Sequence, residues 1–332
     1  MSTLPHPDTL WFTRCPVPTA TGIAADRGWL AEEFAADGIT VRSLQDAAPE
    51  VAADHHYTHA LTGLFREGGN VPALWARSRG ERTRLLGLTW IEERQAILVR
   101  EDSDIRSAEQ LRGARLAVPR HPIGIDFWRA MALAGHHGAL ASAGLTPDDA
   151  EWVEVPAGPG GGQWEAELAA LRDGRVDAVY VKGALAVEAA RRYQAVPAVE
   201  LDALLDRRHR VNNGTPRPIT VHQHLLDEQP ELVARFLAVL LRAADWAADR
   251  PAEVARILGA ETGAGPEGVA GAYAAGGHRT LHPDLSEQRL DLLAQQERFL
   301  HAHGFLADRV DVLAWADPAP LAAARALLAA RP

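Results

Sequence analysis

Sulfur is scarce in this chain: its 332 residues include one cysteine and two methionines. A single cysteine excludes a disulfide within the chain, which fits a reducing compartment. The N-terminal stretch "MSTLPHPDTLWFTRCPVP" lacks a basic n-region and a long apolar h-region, so no signal peptide is visible. No window approaches the ~18 apolar residues of a membrane span. Positive charge is in deficit, with 34 Lys and Arg against 44 Asp and Glu, a net charge of -10. That balance argues against a nucleic-acid or anionic-membrane partner, though a local pocket on an acidic protein can still be basic. There is no short internal repeat. "GPGGG" is not a P-loop, because no Gly-Lys-Ser/Thr follows it. The expectation is a cytoplasmic globular protein. At 47% hydrophobic residues it has material for one large domain or two medium ones.

Strand-like and helix-like segments alternate, which predicts an α/β architecture. "TLWFTRC" reads as a strand ending at the cysteine, and "TGIAADRGWLAEEFAADG" as a helix closed by Gly38. "ITVRSL", "TRLLGLTW", "QAILVR", "ARLAVPR", "EWVEVP" and "GRVDAVYVKG" read as further strands. "SAEQLRG" is a short helix whose Ser107 and Gln110 fit a capping box. "FWRAMALAGHHGALASAG" and "WEAELAALRDG" have helical periodicity, and the last third is mostly helical. Pro156 to Gln163, with four glycines and two prolines, reads as a flexible loop near a cleft or as a plain surface turn. "RHRVNNGTPRPITV" reads as an extended crossover between two halves.

The run "SDIRSAEQLRGARLAVPR" and the later "DGRVDAVYV" resemble recurrent elements of type II periplasmic solute-binding proteins. That resemblance implies a two-lobed α/β fold with ligand in a central cleft. Domain one is expected to be discontinuous, residues 1–112 plus 215–332, and domain two to fill 113–214. Open α/β sheets bind ligands beyond the carboxyl ends of their strands, which would put Cys15 on the cleft wall. A transport receptor needs export, so the missing leader favours an enzyme built on this fold.

A second and closer resemblance is to the 2′-hydroxybiphenyl-2-sulfinate desulfinase family of aromatic-sulfur removal. "CPVP", "HYTHALTGLFREGGNVPAL" and "GERTRLLGLT" carry it, with weaker similarity through to "FLADRVDVLAWADP". The resemblance implies that Cys15 is the catalytic cysteine and that His56, ten residues before Arg66, is the active-site histidine. It also implies that Arg66 binds the sulfinate and that Gly69, after Gly68, offers its backbone N–H to a sulfinate oxygen. These residue types suit the chemistry. Arginine has a fixed fork of donors for two oxygens on one sulfur. Glycine lets an anion approach the backbone closely. A thiol can attack sulfur as thiolate or deliver a proton to carbon, and Arg66, Arg14 or a protonated His56 would lower its pKa.

Other readings stand beside these. A lone cysteine is often a small buried hydrophobe. His55 and His59, four apart, would share a helix face as metal ligands, but no third ligand is evident, so neither metal nor cofactor is expected. Either histidine could also act in place of His56. Arg66 alone could be a solvated helix residue. Lys182 at the end of "AVYVK" predicts a cleft lysine and a more polar sulfinate with a second anionic group, unless it faces solvent or pairs with an acid. His121, after "ARLAVPR", is a further cleft candidate. The expected function is a monomeric, cysteine-dependent desulfinase that closes its lobes on a small organic sulfinate and releases sulfite. The rivals are a non-catalytic binding protein for a sulfonate-like anion, and another cysteine-dependent hydrolase or lyase on the same fold.

Overall fold

The computed structural model describes residues 7–13, 17–158, 163–273 and 276–330. Arg14, Cys15 and Pro16 lie outside the described residues, as do residues 159–162 of the glycine-rich loop. Among the described residues ten strands are formed: β1 (Thr9–Phe12), β2 (Thr40–Ser43), β3 (Leu64–Glu67), β4 (Thr83–Thr89), β5 (Gln95–Arg100), β6 (Arg115–Arg120), β7 (Glu151–Pro156), β8 (Val179–Lys182), β9 (Ala195–Glu200) and β10 (Arg217–His222). The α/β class is as the alternating sequence pattern predicts.

The chain divides into two units. The first holds residues 1–91, 214–261 and 276–332, and the second 92–213 and 262–275. The boundary falls before β5, not after residue 112. The cause is pairing: β5 lies antiparallel between β8 and β9, so it belongs to the second unit.

The first unit is built on a five-stranded sheet in the order β2-β1-β3-β10-β4. β1 runs parallel to β2 and β3, while β10 is antiparallel to β3 and β4. Short runs such as "LFRE" become central strands because every side chain is buried there. Phe65 of β3 stacks on Phe236 at 3.7 Å between ring centroids, docking the long helix Pro230–Ala248 on the sheet. Among the described residues four α-helices precede β4: α1 (Ala20–Asp26), α2 (Trp29–Phe34), α3 (Pro49–Thr58) and α4 (Asn70–Ser78).

The sequence predicts one helix up to Gly38, but the structure has two. Gly28 sits at φ 74°, a left-handed conformation that ends the first helix and starts the second. Gly38 does terminate the run, at φ 71°. The expected capping-box helix at Ser107–Gln110 is instead a single 3₁₀ turn, Glu109–Leu111. The Gln110 side chain accepts from the Arg106 N–H at 2.7 Å, outside any helix start.

The second unit combines the three-stranded sheet β8-β5-β9 with the parallel pair β6-β7. Its core gathers Leu116, Leu140, Trp164, Leu168, Val179 and Tyr180. Among the described residues, no helix is long and apolar enough to cross a membrane.

Candidate functional site

Strand β3 places Arg66 and Glu67 in the middle of the first unit's sheet, both 1% exposed. Arg66 is therefore a buried strand residue, not a solvated helix residue. Its Nη1 donates to the Gly69 carbonyl at 3.0 Å. The guanidinium lies flat against Gly68: a Cβ there would stand 2.5 Å from Nη1, 2.6 Å from Cζ and 2.8 Å from Nη2. Only glycine leaves that space. Gly69, at φ -55° and ψ 144°, is the N-cap of α4 and has no side chain to satisfy the first-turn N–H groups. Such an N-terminus is electrostatically positive and suits an anion. Asn70 secures the helix start, its Nδ2 donating to the Pro216 carbonyl at 2.8 Å.

The histidines occupy the C-terminal end of α3. His59 is not on the helix face. It is the C-cap, in the left-handed region at φ 57°, with its N–H bonded to the His55 carbonyl at 3.2 Å. Its Nε2 lies 3.1 Å from the His56 carbonyl, and since a carbonyl only accepts, Nε2 carries the proton. The two-histidine helix face expected of His55 and His59 is therefore absent.

Burial and the Arg66 charge push the His56 pKa down to about 4. His59, fully buried, is lowered well below the ordinary histidine value by burial, by Arg66 and by His56. A protonated His56, one expected source of thiol activation, is thus corrected to a neutral imidazole at pH 7. The Tyr57 ring meets His56 edge-on at 5.0 Å, and burial raises its phenol pKa against the pull of Arg66. Arg66 is the shared electrostatic neighbour that brings His56, Tyr57 and His59 into one group with Gly68 and Gly69.

Cys15 and Arg14 fall outside the described residues, but the chain on either side is well tied. Thr13 N–H donates to the Phe65 carbonyl at 3.2 Å, and its Oγ1 to the Glu67 carbonyl at 3.2 Å. On the far side Thr19 caps α1, accepting from the Gly22 N–H at 2.9 Å. Glu67 accepts from Thr21 N–H at 3.0 Å, Thr21 Oγ1 at 2.7 Å and Thr89 Oγ1 at 3.4 Å. Burial raises the Glu67 pKa, opposed by Thr21 and by the positive charge of Arg217. The sequence reading missed Glu67 and Tyr57. The available signal was "FREGG", an acid and a base inside an apolar and glycine run.

Lys182 and His121 belong to the second unit. Lys182 forms an ion pair with Glu93, whose side chain is fully buried. Its charge is compensated within the protein, so the expectation of a free cleft lysine selecting a second anionic group is corrected. His121 lies beside Asp126, which accepts its backbone N–H at 2.7 Å, and its ring packs on Trp128 at 5.9 Å. It is tied into the start of the helix Phe127–Ser142.

Solved structures place this fold in the class of binding-protein-like α/β proteins. The periplasmic aliphatic sulphonate binding protein SsuA of Escherichia coli superposes with TM-score 0.71 over 94% of this chain and 93% of its own, at 16% identity. Closer in sequence is the desulfurization enzyme DszB, with TM-score 0.75 and 28% identity over 97% of this chain and 99% of its own. A cysteine-to-serine mutant of DszB in complex with biphenyl-2-sulfinic acid gives TM-score 0.76 at 27% identity, covering 96% of this chain and 99% of its own. The 2′-hydroxybiphenyl-2-sulfinate desulfinases of Rhodococcus erythropolis and Rhodococcus qingshengii are each 30% identical, over 94% of this chain and 92% of theirs. Residues 18–254 match the NMT1/THI5-like family. The chain belongs to the NMT1/THI5-like family and, with these relatives, to the 2′-hydroxybiphenyl-2-sulfinate desulfinase family.

Proposed function

We propose that this protein is a cysteine-dependent desulfinase that cleaves the C–S bond of an organic, aromatic sulfinate. The net reaction is R–SO2⁻ + H2O → R–H + HSO3⁻. The observation that carries this reading is the seat of Arg66: a buried guanidinium pressed on Gly68 and bonded to Gly69 at the start of α4. A sulfinate is a compact anion with two acceptor oxygens, matched to a guanidinium fork and a glycine N–H. The 30% identity to the desulfinases supports the same assignment.

In this reading Arg66 and Gly69 hold the sulfinate, Cys15 supplies the thiol, and His56 is a neutral partner beside them. With the imidazole pKa at about 4, moving a proton to it from an ordinary thiol costs about 6 kcal/mol. That favours a route in which the thiol keeps its proton until it is delivered to the carbon that loses sulfur. An anion bound at Arg66 offsets the charge that depresses His56, so substrate itself makes the imidazole more basic. Sulfite release from a panel of aryl and alkyl sulfinates, with wild type beside Arg66→Lys, tests the assignment. A lysine cannot form the fork, and a loss on the order of 10²-fold in kcat/KM is expected. Tight sulfinate binding with no sulfite from any substrate would instead favour a binding protein of the SsuA kind.

A further inference from the structure

We infer that Glu67 is the positioning residue of the cysteine segment, holding the chain on both sides of Cys15 in register with Arg66. The inference rests on the desulfinase reading for its catalytic consequence, but not for its geometry. One buried residue makes both attachments. Its backbone carbonyl accepts Thr13 Oγ1 at 3.2 Å, two residues before the cysteine. Its carboxylate accepts Thr21 N–H at 3.0 Å and Thr21 Oγ1 at 2.7 Å, six residues after it.

Thr21 lies in the first turn of α1, where backbone N–H groups have no partner within the helix. Thr19 satisfies one of them and Glu67 a second, so the helix that follows the cysteine is fixed at its first turn from the sheet. Thr89 Oγ1 at 3.4 Å and the nearby charge of Arg217 steady the carboxylate from the β4 and β10 side. Glu67 follows Arg66 directly on β3, and β3 is pinned to β10 at Thr220↔Arg66 and Ile219↔Glu67. A displacement of Glu67 therefore changes the relation between the anion seat and both flanks of the thiol. A buried carboxylate is costly, so an acid 1% exposed with three hydroxyl or amide donors on it calls for a use. Holding one end of a helix on a core of this size would not by itself require a charged residue.

The test uses the full chain and its single cysteine. Glu67→Met removes both acceptor oxygens at similar length. Glu67→Gln keeps an acceptor for Thr21 and can donate to Thr89 Oγ1. Thr21→Val removes one donor and leaves Glu67 in place. Two readouts are taken: kcat and KM for sulfite release from biphenyl-2-sulfinate, and the rate of iodoacetamide alkylation of Cys15 from pH 5 to 10. Glu67→Met is expected to lower kcat at least tenfold with KM within twofold, and to change the alkylation rate at pH 7 severalfold. Glu67→Gln is expected to stay within threefold of wild type on both, and Thr21→Val to fall between. A folded Glu67→Met with wild-type kcat and alkylation overturns the inference. So does Glu67→Gln as damaged as Glu67→Met, since charge and not acceptor geometry would then be at work. If Glu67→Met does not fold, Thr21→Val decides: unchanged kcat and alkylation reject the inference. Alkylation that responds as expected in a protein releasing no sulfite would overturn the desulfinase reading and leave the positioning role standing.

Discussion

Gly68→Ala adds one methyl group against Arg66 and changes no charge. Gly68 is not among the glycines with positive φ, so alanine can adopt its backbone conformation. The new Cβ would lie 2.5 to 2.8 Å from three guanidinium atoms, where ordinary contacts begin near 3.4 Å. The guanidinium must then retreat by roughly 0.8 Å. Arg66 is 1% exposed and bonded to Gly69, so the movement displaces the fork from its seat rather than into water. Misplacing a binding group by about 1 Å costs on the order of 10² in rate, or roughly 2.7 kcal/mol in the transition state. Overpacking adds a stability loss of about 1–3 kcal/mol. The assay is sulfite release per folded molecule, with thermal unfolding run in parallel. A folded Gly68→Ala with kcat/KM within threefold of wild type would refute the seat as the anion site.

Three further outcomes follow from other buried groups. His136 is fully buried, bonded through Nε2 to the Ala117 carbonyl, and its pKa is lowered to about 4 by burial. The unfolded chain therefore takes up that proton first as pH falls, so stability present above pH 6.5 is lost between 6.5 and 4, by about 3 kcal/mol. Urea unfolding of His136→Gln should show about one proton less in that slope, and an unchanged slope would contradict the assignment. Lys182→Met should cost about 3–5 kcal/mol by stranding buried Glu93, with much of it recovered in Lys182→Met/Glu93→Gln. A single mutant as stable as wild type would show that the pair does not form. Because His56 is already neutral, kcat/KM should show no limb near pH 6.5, and a limb there lost in His56→Asn would contradict the depressed pKa.

How far the sequence can be read depends on how local each cause is. β1, β2 and β4 to β8 were visible because apolar runs between turn residues mark them, and Gly38 was visible as a helix stop. β3 was not visible as a strand: four residues, all buried, give no alternation, and two of them are charged. β10 read only as a crossover because its partners lie about 130 to 155 residues earlier in the chain, a pairing that no local pattern encodes. The division into units shifted for the same reason, since β5 is claimed by β8 and β9. At the site, Arg66, Gly68 and Gly69 were legible as a short motif. The charge state of His56 was not, because it is set by burial and by Arg66, ten residues on. Nor was the fate of Lys182, whose acid lies 89 residues away. Glu67 was legible only as an acid inside "FREGG", and its threonine contacts reveal what it holds.

The proposed desulfinase activity requires release of sulfite from a sulfinate through the single thiol of Cys15. The decisive experiment is sulfite release from biphenyl-2-sulfinate and related aryl sulfinates, by wild type beside Cys15→Ser. Wild type should yield stoichiometric sulfite and desulfinated product, and Cys15→Ser none above background. Equal sulfite from both proteins would contradict the role of the thiol, and none from either, with sulfinate still bound, would contradict the desulfinase itself.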